Sequence, residues 1–192
     1  MLRWYASRRR WWDLATFSLG WFLAVMYHIA HMHPGGLASS QVLGLGGAAW
    51  RTLDIVSAQS LLARTIGHAL GGRSAAVGLL SNAAFPCLVA LHAQVYGAIS
   101  LATTARLLLL VAGAILGAKL ILEGAHTVPA FDTPGARKAG LLFLAAFVVF
   151  PLPEVWPLLY WLFHSVWHVC LASAYAHLYR HLESSAPRPK QA

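Results

Sequence analysis

Six long apolar segments occupy most of this chain, and they constrain its fold more than any other feature of the sequence. Of its 192 residues, 58% are hydrophobic and only 10% are charged, against roughly 25% charged residues in ordinary soluble domains. A membrane span needs about 20 apolar residues, and inside hydrocarbon a helix satisfies its own backbone hydrogen bonds. The sequence therefore predicts an all-α, polytopic helical membrane bundle with six spans, over residues 11–32, 53–70, 75–98, 101–122, 139–152 and 155–178.

The joints between these segments are rich in Gly, Pro or charged residues, and none is large enough to form a second domain. We expect a single transmembrane domain over residues 1–183. The polar, Pro-containing tail over residues 184–192 is predicted to be disordered and cytoplasmic. The fifth segment is the weakest of the six, because it is shorter than the ~20 residues of a typical span.

The basic residues predict the orientation of the spans, because short cytoplasmic loops retain Lys and Arg. With a cytoplasmic N-terminus and six spans, every Lys and Arg except Arg51 and Arg106 lies at or near the inside, and both termini are cytoplasmic. The net charge of +8 is spread over several short loops, which argues against nucleic-acid binding. A cleaved signal peptide ending near residues 37–39 is an alternative for the first segment, although that segment is longer than a typical signal-peptide core.

Polar side chains from three of the predicted spans converge on the outer half of the membrane. His164 and His168, four residues apart, share one face of the sixth helix. His28 lies near the outer end of the first span, and Asp54 lies at the outer start of the second. Imidazole and carboxylate groups are unfavourable in hydrocarbon, so their convergence at one depth indicates a functional site.

These residue types and this spacing are typical of a catalytic zinc site. Such a site has three protein ligands plus water, and two histidines at i and i+4 supply two of the ligands. His28 is the best candidate for the third ligand, and Asp54 would orient a ligand or the activated water as the catalytic carboxylate. The alternative is that the histidines form hydrogen bonds between helices and bind no ion.

Three stretches of the chain resemble a known family. Phe163–Ala174, with its His-Ser-Val-Trp-His core, resembles the last helix of the myomaker-like branch of the CREST superfamily. Met26-Tyr27-His28 and Trp50–Ser57 resemble the Tyr-His helix end of that branch and the start of its next helix, in the same order and at similar spacing. The superfamily includes alkaline ceramidases and adiponectin-type receptors; its members have seven helices, and most are known or inferred zinc-dependent lipid hydrolases. The resemblance implies three zinc ligands, His28, His164 and His168, and an acidic partner, Asp54.

Two departures separate this chain from the family pattern. The Ser that precedes the first His by one helical turn is Ala24 here, which affects hydrolysis more than metal binding, and Ser57 is a candidate substitute. The basic run over residues 8–10 stands almost at the start, so the chain resembles the seven-helix fold without its first helix. We expect a zinc-dependent hydrolase acting on an amide or ester of a membrane lipid. The alternative is a non-enzymatic protein of membrane remodelling or fusion in which the metal is structural.

Overall fold

The computed structural model describes residues 2–7, 11–97 and 101–185. About 84% of the structure is helical, so the all-α prediction is confirmed. Contacts between Cα atoms divide the chain into two compact units, Met1–Ala125 and His126–Ala192. The predicted tail over residues 184–192 lies outside the described residues, except that the last helix continues to Ser185. The basic residues at 8–10, 188 and 190 also lie outside them.

The first unit contains seven α-helices, numbered α1 to α7, within the part that the structure describes. A short antiparallel pair of two-residue strands, β1 and β2, follows α3, with Gln41 opposite Gly46. One turn of π-helix, over Leu80–Ala84, joins α5 to α6 without a break in the helix axis. The helices are α1 Leu2–Ser7, α2 Trp11–His31, α3 Gly36–Ser39, α4 Gly47–Ala69, α5 Ala75–Leu79, α6 Phe85–Tyr96 and α7 Leu101–Glu123, and the strands are β1 Gln41–Val42 and β2 Leu45–Gly46.

Helix α4 lies at the centre of the first unit and packs against α2, α6 and α7. Glycine permits the closest of these approaches: a Cβ on Gly20 of α2 would lie 2.6 Å from Leu61 Cδ1 of α4. On its other side α4 contributes to an apolar core made of Ala63, Val77, Phe85, Val89, Val111 and Ile115. Burial of these side chains, at roughly 25 cal/mol per Å² of apolar surface, is the main favourable contribution to packing outside the lipid.

The N-terminal end of α4 is attached to the loop that contains the two short strands. Trp50 is 4% exposed and packs with Tyr27 and Ala30 near the end of α2. Its indole Nε1 donates a hydrogen bond of 2.9 Å to the carbonyl oxygen of Val42. Because a buried indole N–H needs an acceptor, this bond fixes the direction in which Trp50 packs. The first turns of α4 are therefore held beside the last turns of α2.

The second unit is a helical hairpin. Its two long helices pack along each other, with the rings of Phe143 and Tyr175 5.4 Å apart and those of Phe150 and Trp167 5.3 Å apart. Thr133 caps the first of them by accepting a hydrogen bond from the Ala136 N–H at 3.3 Å. The elements are α8 Pro134–Val149, α9 Leu152–Val155, a turn of 3-10 helix at Pro157–Leu159, and α10 Tyr160–Ser185.

Three helices of the described chain are long and apolar enough to cross a membrane: Trp11–His31, Ala75–Tyr96 and Ala102–Glu123. Helix α4 has 23 residues and α10 has 26, but they carry more charged and His side chains, and α8 has only 16 residues. Each of the six predicted segments falls on a helix, although α4 and α8 begin earlier than predicted and α10 begins and ends later. That all six cross the membrane remains a prediction.

Candidate metal centre

His164 and His168 form the most compact polar arrangement on α10. The two residues are one helical turn apart, and their Nε2 atoms lie 3.0 Å from each other. Their ring centroids are 4.7 Å apart with the planes at 78°, so the rings meet edge to face. Both side chains are half-buried, while Ser165, Val166 and Val169 on the opposite face are exposed. The helix thus directs both Nε2 atoms to one point.

Aromatic rings on the same helix hold this pair in place. Tyr160 stacks on His164 with ring centroids 5.0 Å apart and an interplanar angle of 12°. The ring of Trp167 lies 5.2 Å from that of His164 and 4.6 Å from that of His168. Trp167 is itself packed on Phe150 at the end of α8. Because χ1 and χ2 of both histidines are restricted by these contacts, the two nitrogens are arranged before any ligand binds.

His28 lies in the last turns of α2 and is half-buried. Its ring packs against the ring of Tyr27, with centroids 5.1 Å apart. Tyr27 is 8% exposed and belongs to the cluster with Trp50 described above. The position of His28 therefore depends on the packing of α2 against α4 within the first unit.

His164 and His168 each offer a ring nitrogen at one point of α10, so this pair could supply two of the ligands of a metal ion. Tetrahedral coordination with metal–nitrogen distances near 2.0–2.1 Å requires ligand nitrogens about 3.3 Å apart. The 3.0 Å separation within the pair on α10 is close to that value. The donor set is therefore suited to a metal that accepts imidazole ligands. The sequence predicts both of these histidines as ligands, together with His28 of α2.

The other candidates from the sequence are Asp54 and Ser57, and a further histidine, His31, lies close to His28. Asp54 is half-buried in the second turn of α4, and within the described chain its carboxylate has no hydrogen-bond or ion-pair partner. His31 lies one turn beyond His28, with its ring 5.7 Å from that of Tyr27. Ser57 Oγ would lie 3.0 Å from a Cβ on Gly20, one turn before Ala24 on α2. The Ser57 hydroxyl therefore faces α2, the helix on which the family pattern has its Ser, but one turn before that position.

A partly buried charge cluster in the first unit was not predicted from the sequence. The Arg64 guanidinium donates to Asp13 Oδ1 through Nε at 2.8 Å and through Nη2 at 2.6 Å, and it also donates to Asn82 Oδ1. Asp13 is only 4% exposed. These three residues tie α2, α4 and the π-helical turn together. The predicted topology could have indicated this cluster, because it places the start of the first span, the end of the second and the start of the third at one membrane face.

A second buried cation also escaped prediction. Lys119 of α7 is 0% exposed. Its ammonium group donates to Glu123 Oε2 at 2.7 Å and to the carbonyl oxygen of Gly71 at 2.9 Å. Glu123 Oε1 accepts from the backbone N–H of Arg73 and of Ser74. This network attaches the end of α7 to the loop between α4 and α5.

No protein-family model, no curated protein and no solved structure matches the chain.

Proposed function

We propose that this protein is a membrane-embedded, zinc-dependent hydrolase acting on an amide or ester bond of a membrane lipid. The observation that carries the proposal is the pair formed by His164 and His168, whose Nε2 atoms lie 3.0 Å apart on one face of α10; His28 is the third ligand that the sequence predicts. Three neutral imidazoles leave a fourth tetrahedral position for water or substrate, which is the arrangement of catalytic zinc sites. The resemblance to the CREST superfamily implies the same ligands and the same metal.

The membrane topology belongs to the same proposal. Six helices cross the bilayer, α2, α4, the continuous helix α5–α6, α7, α8 and α10, and both termini are cytoplasmic. The exposed apolar side chains of three of these helices support burial in lipid. A site near the ends of α2 and α10 then lies at the depth of the ester and amide groups of lipids in the outer leaflet.

Each residue of the site has a role that its position permits. Zinc, when bound, supplies Lewis acidity and lowers the pKa of water to roughly 7. The three histidines bind through neutral ring nitrogens, and Tyr160 and Trp167 keep two of those rings oriented. Asp54, whose carboxylate has no partner within the described chain, is available to accept a proton from water or to orient it.

The alternative is a non-enzymatic protein of the myomaker type, which acts in membrane remodelling or fusion. One observation favours it: Ala24 stands where the family pattern has Ser, so a hydroxyl that would assist the reaction is missing. In this case the metal stabilises the positions of three side chains, and Asp54 has no reaction to assist.

Zinc content of the purified full-length protein tests the metal site. We expect about one zinc ion per chain, as for a three-histidine site. Replacing both His164 and His168 by Ala should weaken zinc binding by at least about 100-fold. Loss of a residue that supports a ligand lowers metal affinity by about 10–100-fold, and loss of the ligands themselves should lower it further. His126→Ala is the matched control, since His126 is exposed and lies outside the group. A parent protein that binds no zinc at micromolar free metal would refute both the enzymatic and the structural proposals.

An Asp54→Asn variant separates the enzyme from its alternative. The change keeps the side-chain volume and removes the negative charge. If the protein is a hydrolase, turnover of a lipid amide or ester should fall by about 10²–10⁴-fold while zinc content stays at the parent value. Unchanged turnover in Asp54→Asn would remove Asp54 from the reaction. Absence of turnover in the zinc-loaded parent, across amide and ester lipids, would favour the non-enzymatic alternative.

A further inference from the structure

A patch of basic side chains lies at one end of the helical hairpin in the second unit. Arg137 and Lys138 in the first turn of α8 are exposed, as is Arg180 near the end of α10. We call these three residues, together with the half-buried His177, the basic patch. His177 lies on α10 three residues before Arg180.

Contacts between the helices fix this end of the hairpin. Thr133 Oγ1 lies 2.8 Å from His181 Nδ1, and the other ring nitrogen of His181 lies 2.9 Å from the carbonyl oxygen of Ala130. A Cβ on Gly135 would lie 3.7 Å from His181 Cβ. The start of α8 is thus held against the end of α10. The basic side chains of the two helices therefore occupy one defined surface.

The surface next to the basic patch is apolar. Leu141, Leu144 and Val148 follow Arg137 at spacings of four, three and four residues, so they continue the same face of α8. Their exposures are 69%, 59% and 59%. A helix face that changes from cationic to apolar within one turn matches a lipid, in which a charged headgroup is joined to acyl chains.

We propose that the basic patch and the exposed face of α8 form a binding site for an anionic membrane lipid. The phosphate of the headgroup is bound by Arg137, Lys138 and Arg180, and an acyl chain lies along Leu141, Leu144 and Val148. Asp132, which precedes α8 and is exposed, reduces the positive charge of this surface but does not cancel it. Guanidinium groups suit phosphate because they present paired N–H donors. This site is separate from the histidine group, and it requires no metal.

Lipid binding by the full-length protein in detergent micelles tests the proposal, with fluorescent phosphatidylglycerol and phosphatidylcholine as probes. The parent should prefer phosphatidylglycerol. Each basic residue near a lipid surface is worth about fivefold in binding, so replacing Arg137, Lys138 and Arg180 by Gln should lower phosphatidylglycerol affinity by at least about tenfold. Raising the salt concentration should weaken binding by the parent more than binding by this triple variant.

The matched control replaces three other exposed arginines, Arg3, Arg73 and Arg106, by Gln, which changes the net charge by the same amount. Its affinity for phosphatidylglycerol should stay within about twofold of the parent value. Equal losses in the two triple variants would overturn the proposal, because they would show an effect of net charge alone. If the triple variant does not fold, Arg180→Gln alone is compared with Arg106→Gln, and equal losses of affinity in these two variants would overturn the proposal.

A further pair of measurements distinguishes a lipid from free phosphate. The double variant Leu141→Ser, Leu144→Ser should bind phosphatidylglycerol more weakly than the parent. It should still prefer phosphatidylglycerol to phosphatidylcholine, since the charges remain. Glycerol 3-phosphate at the same concentration should compete poorly. Full competition by glycerol 3-phosphate, or unchanged lipid binding in the serine variant, would contradict a site that includes the acyl chain.

Discussion

The Nε2 atoms of His164 and His168 lie 3.0 Å apart on successive turns of α10. Without a metal, such a contact requires a proton on one of the two nitrogens, which donates to the other. With a metal, both lone pairs point to the ion and no proton lies between them. The same rotamers therefore serve a hydrogen bond or a chelate.

Tyr160 should act as a positioning residue for this pair, because its ring stacks on His164 at an angle of 12°. In Tyr160→Ala we expect zinc affinity to fall by about 10-fold, the lower end of the effect of supporting residues. Tyr160→Phe keeps the stacked ring and should stay close to the parent. Competition with a chromophoric chelator measures both variants. Equal losses in Ala and Phe would assign the effect to the hydroxyl group instead of the stack.

The buried ion pair between Asp13 and Arg64 should be essential to the stability of the first unit. Asp13→Ala leaves the Arg64 guanidinium, which is 18% exposed, without its anion. We expect the free energy of unfolding to fall by about 3–5 kcal/mol. Asp13→Leu combined with Arg64→Met should recover most of this loss, because no uncompensated charge remains. Thermal unfolding in detergent compares them, and a double variant less stable than Asp13→Ala would contradict this account.

The close approach of α2 and α4 at Gly20 predicts intolerance of larger side chains. Gly20→Val places a branched Cβ 2.6 Å from Leu61 Cδ1 and 3.0 Å from Ser57 Oγ. We expect a loss of about 1–3 kcal/mol in the free energy of unfolding from overpacking. Gly113→Val on α7 is the control, since no atom lies within 4 Å of a Cβ there. Adding Leu61→Ala should relieve the clash. Similar losses at Gly20 and Gly113 would argue against steric contact as the cause.

The bond between Thr133 and His181 should contribute to the stability of the hairpin in the second unit. Thr133→Val keeps the shape but removes the partner of His181 Nδ1 and the acceptor of the Ala136 N–H. Loss of a helix cap and of a buried hydrogen bond predicts a decrease of about 1–2 kcal/mol in the free energy of unfolding. Thr133→Ser keeps the hydroxyl and should lose less than half as much. If the serine variant were as unstable as the valine variant, the loss of stability in Thr133→Ser would come from the missing methyl group, and the hydroxyl would not explain the stability of the hairpin.

Much of the candidate site follows from local geometry. Residues at i and i+4 share a helix face in any α-helix, so the pairing of His164 with His168 can be predicted without knowledge of the fold. The choice of His28 as the third ligand requires the order and direction of the spans, and the sequence predicts these through its apolar segments and basic loops. The structure brings His164 and His168 together, and His28 as the third ligand stays a prediction.

Other features depend on contacts that no local pattern encodes. The sequence places His181 at the inner end of the last helix, where contact with solvent or lipid head groups is the expectation, yet it is 4% exposed and bonded through both ring nitrogens. Lys119 likewise has the position of a residue that reaches the interface, but it is buried and its ammonium group donates to the carbonyl oxygen of Gly71, which is distant in sequence. Burial of a polar side chain depends on which helices pack beside it, and the groups that bond to it from those helices are distant in sequence.

The sequence by itself predicted that the chain is helical, because a helix satisfies the backbone hydrogen bonds of apolar segments of this length internally, and it determined which residue types are available to bind a metal. Only the tertiary structure decided which polar groups from different elements bond to each other: Asp13 with Arg64, Lys119 with the carbonyl oxygen of Gly71, and Thr133 with His181. Hydrogen bonds within a helix are local in sequence, whereas side-chain partners come from packing between helices and depend on the rotation and depth of each one.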